Sequence, residues 1–228
     1  MTPIELEIGM GRAHFLFERA SIVPTHQVVG IEYKERWVKQ ALRKQQREQI
    51  YNVTPIHGDA WEVVPQLFAP ESLSLIILNF PDPWWKKRHH KRRVLNENFL
   101  EILVSLLKPD GQFFFQSDVL ELFEIYSKLL ESKLKKLPCE ENPLGAKSHR
   151  EKKCEEFEKP VYRILLFKNN PLNQRLASSS CSSVGGNLSS GISSDTTSKS
   201  SSKSNKWLSL ALSSSVKCLV ASLAPTCA

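Results

Sequence analysis

The sequence predicts an α/β fold: a Rossmann-like, doubly wound, mostly parallel sheet with helices on both faces, followed by a disordered C-terminal tail. Three observations carry this. Up to about residue 168, apolar runs of strand length alternate with segments of helix length, the signature of successive crossover units. The first strand runs into a glycine-rich turn, Gly9-Met-Gly11, and then into a helix, an arrangement that seats ligands at the carboxyl ends of such strands. After Asn170 the composition changes abruptly, and from about Ala177 to Ser204 roughly half the residues are Ser, which cannot bury enough apolar surface to order itself.

Taken in order, Ile4–Ile8 is the first strand and Ala13–Ala20 the first helix. Val28–Glu32 is the second strand, followed by a helix over Lys34–Gln49. Val53–His57 and Trp61–Phe68 form the third strand and helix. Leu73–Asn79 is a continuous apolar run, as expected of a strand covered on both faces. Glu97–Leu107 is a helix whose apolar positions are core rather than site, and Lys108-Pro-Asp-Gly111 is a helix stop and turn. Gln112–Ser117 and Val119–Glu131 are the next strand and helix, with Ser117 or Asp118 available as the N-cap. Lys133–Leu137 is a weak strand and Val161–Phe167 a strong one. There is no internal repeat.

With 228 residues the chain suits one full-sized domain, expected over residues 1–168, with a Ser-rich, disordered tail over 169–228. The formal net charge of +7 suits an anionic partner. Five scattered cysteines form no CxxC pair, which argues for reduced thiols in a cytoplasmic protein and against a disulfide framework or zinc site. His57, His89, His90 and His149 show no metal-ligand spacing either, so no metal is expected. The N-terminal residues lack the features of a signal peptide. The apolar final stretch is interrupted by serines and Lys217, so no membrane span is expected.

Three successive strands end in an acid: Glu7 before the glycine turn, Glu32 in "GIE" and Asp59 in "HGDA". The turn reads Glu7-Ile-Gly9-Met-Gly11-Arg-Ala13, not the GxGxxG of a nicotinamide site. A cleft lined by three acids repels a pyrophosphate. It suits a ligand with positive charge and with hydroxyl and amine donors. S-adenosylmethionine, with its sulfonium, ammonium, ribose and adenine, has that chemistry.

The fourth strand leads into "NFPDPWWKKRHHKRR", Asn79 to Arg93. Pro81 and Pro83 stiffen this loop, and Trp84 and Trp85 offer flat faces for packing or for a base. Six formal positive charges then fall within eight residues, Lys86 to Arg93. Such density suits the phosphates of a nucleic acid, and a small substrate needs no such track.

Together these residues resemble the tRNA (guanine-N7-)-methyltransferase family in its single-chain bacterial form. "EIGMG", "GIE", "GDA", "LNFPDPWWKKRHHKRR" and "LLKPDGQFFFQSD" stand in that family's order and spacing, and the resemblance runs from about Ile4 to Lys168. It implies a class I, S-adenosylmethionine-dependent enzyme that methylates N7 of a guanine in the tRNA variable loop. By motif, Glu7, Gly9, Gly11, Glu32, Asp59, Ala60 and Asp82 are implied at the cofactor, and Asp82 also as the catalytic residue. Lys86, Asp118, Ser148 and Glu151 are implied at the substrate. Arg88, His89, His90, Lys91, Arg92 and Arg93 are implied on the RNA. Guanine N7 carries a lone pair and no proton, so Asp82 is expected to position the base rather than deprotonate it. The chain departs from the family at Ala13, where a third Gly is usual, at Ser148 for Thr, and at Arg150 for an aromatic residue. The family also has a longer segment before the first strand and no Ser-rich tail, so the expectation is a chain trimmed at the front or starting upstream of Met1. Other readings are a class I methyltransferase acting on another RNA and an inert RNA-binding relative. A monomer and a homodimer are both compatible with the sequence.

Overall fold

The computed structural model describes residues 2–168 apart from positions 138 and 140. The tail expected over 169–228 lies outside the described residues. Strands β1 (Ile4–Ile8), β2 (Gln27–Glu32), β3 (Val53–His57), β4 (Leu73–Asn79), β5 (Leu107–Ser117), β6 (Lys135–Leu137) and β7 (Tyr162–Phe167) form one sheet in the order β3-β2-β1-β4-β5-β7-β6. The first five pair in parallel, while β7 runs antiparallel to both β5 and β6. The strand order reverses between β1 and β4, the point where open α/β sheets bind ligands.

Helices α1 (His14–Ile22), α2 (Glu35–Glu48), α3 (Ala60–Leu67), α4 (Glu97–Leu106), α5 (Leu120–Glu131) and α6 (His149–Glu156) cover the sheet. Register sorts the strand side chains into two faces. One face carries Leu75, Ile77 and Phe114, which pack with Phe15 of α1 and with Leu144 and Ala146. On the other, Phe115 meets Phe123 and Tyr126 of α5 with ring centroids 5.7 and 5.4 Å apart. Phe99, Leu100, Leu103 and Leu106 of α4 are buried, as the apolar pattern of that segment requires. No helix among the described residues is long and apolar enough to cross a membrane.

Apart from β5, the bounds agree with the sequence reading to within two residues. β5 starts at Leu107 because the expected turn at Lys108–Gly111 is a bulge within the strand: Leu73 pairs with Leu107, and Leu75 already with Gln112. A Cβ on Gly111 would lie 2.9 Å from the Lys108 backbone, so this fold-back admits glycine alone. Two helical stretches are additions to the reading, α6 and a 3₁₀ helix over Lys87–Arg92.

Candidate active site

β1 is buried along its whole length and carries two acids on one face. Glu5 is fully satisfied. Arg19 of α1 donates to it through Nε (2.7 Å) and Nη2 (2.8 Å), and His26 Nδ1 lies 2.7 Å away. Glu7 is as deeply buried, at 2% exposure, and meets no cation among the described residues. Asn79 donates to its Oε1 at 2.9 Å, and its Oε2 has no partner. Burial, reinforced by the Glu32 charge and only partly countered by Asn79, pushes its carboxyl up to about 8. A buried acceptor left without a donor costs about 1–3 kcal/mol, so a ligand bringing an ammonium to Oε2 removes a penalty already present in the fold. The ammonium of S-adenosylmethionine fits that requirement.

The glycine turn lies directly after Glu7. Gly9 and Gly11 have φ of 77° and 51°, and an added Cβ on either would meet nothing within 4 Å. Space is therefore not what excludes a side chain there; it is the backbone angle that calls for glycine. Gly9 N–H and Met10 N–H donate to Ile31 O, and Gly11 N–H donates to Glu32 Oε2 at 2.9 Å. Glu32 Oε1 accepts from Lys34 N at 2.8 Å. Glu32 thus fixes the turn while keeping further lone pairs for hydroxyl donors. Asp59 N-caps α3 by accepting from Trp61 N at 2.9 Å, and its helix begins at Ala60. Asp59 also lines an open cleft of about 610 Å³ with Tyr33, Glu35, His57, Gly58 and Glu62.

Ala13 shows what its departure from the family entails. It is buried, with φ 59° and ψ 25°, the left-handed conformation that a third glycine would adopt freely. The departure is thus accommodated as backbone strain at the N-cap of α1.

A polar row crosses the sheet at one level. Asn79, Gln116 and Arg163 are register partners on β4, β5 and β7. Gln116 Nε2 donates to Asn79 Oδ1 (2.9 Å) and to Glu151 Oε2 (3.0 Å). Arg163 donates through Nε to Gln116 Oε1 (3.2 Å) and through Nη2 to Glu151 Oε1 (3.0 Å). Asn142 Nδ2 also donates to Glu151, at 3.0 and 3.2 Å. Sequence reasoning placed Asn79 only as the start of the strand-tip loop and missed Gln116 and Arg163 as site residues. The available signal was an amide side chain directly after an apolar run in each of two strands, "LIILN" and "FFFQ".

Beyond β4 the loop is anchored by Phe80 N–H donating to Gln116 O at 2.9 Å. Phe80 and Trp84 both adopt φ 46°, an outlying conformation for bulky side chains that brackets Pro81-Asp82-Pro83. Asp82 is exposed and lines an open cleft of about 380 Å³ with Pro83, Trp84, Trp85, Lys86 and His89. The 3₁₀ helix then places residues three apart on one side. His89 and Arg92 accordingly both pack on Trp84, with the His89 ring edge-on at 5.9 Å and the Arg92 guanidinium 5.2 Å from the ring centroid. Arg93 Nε donates to Pro83 O at 3.2 Å. The two tryptophans divide the roles: Trp84 is packed against His89 and Arg92, whereas Trp85 is 67% exposed. Lys86 and Arg88 are exposed, and the side chains of His90 and Lys91 lie outside the described set.

The remaining expected residues sit on or against α6. Asp118 follows β5 directly, but neither it nor Ser117 caps α5: the N-cap is Val119, without a side-chain cap, and Ser117 Oγ accepts from Val119 N at 3.1 Å. Asp118 Oδ2 accepts from both Nε (3.0 Å) and Nη2 of Arg150. Arg150 therefore pairs with the very acid expected at the substrate. Ser148 caps α6 by accepting from Glu151 N at 3.1 Å, and Glu151 is 0% exposed in the polar row. Both expected substrate residues are thus engaged within the protein. His149 stacks on His14 at 5.2 Å, which sets the start of α6 against the start of α1 and the glycine turn.

A family model described as "Putative methyltransferase" matches residues 1–164. The tRNA (guanine-N(7)-)-methyltransferase of Synechococcus sp. (strain JA-2-3B'a(2-13)) is 34% identical over 169 residues, covering 72% of this chain and 71% of that protein. The tRNA (guanine-N(7)-)-methyltransferase of Myxococcus xanthus (strain DK1622) is 34% identical over 177 residues, covering 73% and 84%. Among solved structures, a 30S ribosomal A1408 methyltransferase from an uncultured bacterium aligns with a TM-score of 0.53 at 17% identity, over 73% of this chain and 87% of that one. The aminoglycoside resistance methyltransferase NpmB1 aligns with a TM-score of 0.51 at 15% identity, over 72% and 86%. These two alignments share the fold.

Proposed function

The chain belongs to the tRNA (guanine-N7-)-methyltransferase family, and from that premise we propose that it methylates N7 of a guanine in the variable loop of tRNA. The observation that carries the reading is Glu7: a buried acid beside a glycine turn, at the switch point of the sheet, with one oxygen lacking a donor. S-adenosylmethionine supplies an electrophilic methyl group on a sulfonium centre. Glu7 Oε2 receives its ammonium, Glu32 its ribose hydroxyls, and the cleft beside Asp59 and Ala60 its adenine, while Gly9 and Gly11 let the backbone come close.

On the substrate side, no residue has to remove a proton, because N7 offers an in-plane lone pair. Asp82 therefore works as an acceptor for the guanine's amino and imino edge and as a counter-charge to the cationic product. Two prolines and two left-handed residues hold it still. Fixed positioning of this kind is worth up to about 7–11 kcal/mol in favourable cases, with electrostatic stabilisation added. Lys86, Arg88, Arg92 and Arg93 track the RNA backbone. Asp118, set by Arg150, faces the substrate from the adjacent strand tip.

Incubation of unmodified tRNA with a methyl-labelled donor, followed by mapping of the modified nucleotide, tests the reading. N7-methylguanosine in the variable loop is the expected product. Label at another atom or another base overturns it. Asp82→Asn is expected to slow methylation by about 10²-fold or more without introducing or removing a titration in the rate profile. A lost ionisation in that variant shows Asp82 to be a base and contradicts the mechanism.

A further inference from the structure

We infer that Gln116 and Arg163, which do not reach Glu7, are positioning residues for the methyl donor: by fixing the direction of the Asn79 amide they decide which form of the Glu7 carboxyl the site prefers. This rests on the proposed function, in that Glu7 is read as the acid that takes the donor's ammonium.

The argument is one of hydrogen-bond direction. An amide can turn over and exchange its donor and acceptor ends, whereas a guanidinium only donates and a carboxylate only accepts. Arg163 Nε points at Gln116 and must meet its oxygen, at 3.2 Å. Glu151 Oε2 faces the same side chain and must meet its nitrogen, at 3.0 Å. With both ends of Gln116 assigned, its Nε2 also faces Asn79, which must present Oδ1, at 2.9 Å. Asn79 then has only Nδ2 left for Glu7, at 2.9 Å. The donors all run one way, Arg163 to Gln116 to Asn79 to Glu7, and bonds in such a chain polarise one another.

The end of the chain matters for the ligand. An N–H offered to Glu7 favours the carboxylate, which accepts an ammonium. An Asn79 turned over offers Oδ1, which favours a protonated carboxyl that donates to it. The row is buried except at its Arg163 end: Glu7 and Asn79 are almost wholly enclosed, and Gln116 and Glu151 are fully so. A turned amide would set Asn79 Oδ1 against Glu7 Oε1 and Nδ2 against Gln116 Nε2, acceptor facing acceptor and donor facing donor. The charged groups that bear on Glu7 are Glu32 from the β2 tip, which opposes its ionisation, and, through the row, Arg163 from β7 and Glu151 from α6.

The test is calorimetric binding of S-adenosylhomocysteine, which keeps the ammonium, from pH 6 to 9.5. Wild type is compared with Gln116→Met, which keeps volume and removes both ends of the relay. The ligand's own titration is common to every variant and cancels. With the row broken, the rising limb of affinity is expected to move to higher pH. Binding at pH 7 then weakens about three- to tenfold, with a smaller loss above the limb. Asn142→Ala serves as the control: it removes hydrogen bonds from Glu151 of the same buried cluster but lies off the path to Glu7. It is expected to lower thermal stability and leave the limb in place. Arg163→Lys retains the charge and loses the Nε donor, so it provides a milder variant if Gln116→Met does not fold. It should move the limb in the same direction. An unmoved limb in the variants that fold, or an equal shift in Asn142→Ala, overturns the inference and leaves the functional reading standing. Absence of binding by the wild type at any pH overturns both.

Discussion

Glu5 and Glu7 are two residues apart on one face of one strand and almost equally buried, yet of the two only Glu5 is paired with a guanidinium. The contrast yields a pH prediction. The Glu7 carboxyl is raised to about 8, so in the free protein it holds its proton at neutral pH and loses it as pH rises. Because the folded value lies above the unfolded one, its ionisation withdraws stability as pH climbs between the two. Glu7→Gln is therefore expected to melt a few degrees higher than wild type above pH 8 without ligand, and to lose the donor's stabilising effect. Donor affinity in wild type should rise toward pH 8 and fall once the ligand's ammonium gives up its proton, a bell that titration calorimetry resolves. Ala13 offers a second test. Left-handed backbone costs an L-residue about 1–2 kcal/mol. Ala13→Gly relieves that but forfeits about 0.8 kcal/mol of methyl burial and about 0.5–1 kcal/mol of chain entropy. The terms nearly cancel, so thermal unfolding should shift by no more than about 2 °C; a larger drop means that the methyl's packing dominates. The strand-tip acids were legible in the sequence because they close apolar runs. That Glu5 pairs with Arg19 was not, since the partner comes from a helix whose rotation no local pattern reveals.

The loop after β4 and the 3₁₀ helix behind it act as a unit, because Trp84 is the surface on which His89 and Arg92 rest. Trp84→Ala is expected to weaken tRNA binding by several-fold to about tenfold, the scale of a lost cation–π support. S-adenosylhomocysteine affinity should change less than twofold; equal losses on both ligands show instead that the loop collapses into the donor site. Arg88→Ala, an exposed change, should weaken tRNA binding and lower its salt dependence by about one unit of slope. The basic stretch was legible as an RNA track from charge density, but its 3₁₀ form was not, since eight polar residues in a row carry no hydrophobic period. α6 was overlooked for a related reason. Of its eight residues only Cys154 is both apolar and buried, and the other inward position, Glu151, is an acid. The missed signal was Ser148-His-Arg-Glu151, the spacing of a capping box. Half of that box forms, through Glu151 N–H and Ser148 Oγ, while the Glu151 side chain turns inward to the polar row.

At the scale of the whole molecule, polar side chains tie together segments that lie far apart in sequence. Arg19 links β1 to the segment before α6, since it donates to Glu5 and, through Nη1, to Leu144 O at 2.7 Å. Removing one partner of a buried pair costs about 3–5 kcal/mol. Arg19→Leu should accordingly lower the melting temperature markedly, while donor affinity of the folded fraction stays within about twofold. A melting point unchanged within error contradicts the tie. The parallel core of the sheet was legible from strand and helix alternation alone. The placement of β7 between β5 and β6 was not, because it depends on antiparallel pairing across long sequence separation. That placement has a consequence for synthesis on the ribosome. β5 emerges well before its outer neighbour, and β6, although made next, pairs with β7 and not with β5. Until residues 162–167 arrive, the nascent chain carries an open edge rich in phenylalanine, a template for association with other chains. The same late strand delivers Arg163, so the donor pocket acquires its final polarity only when the last strand of the sheet is translated.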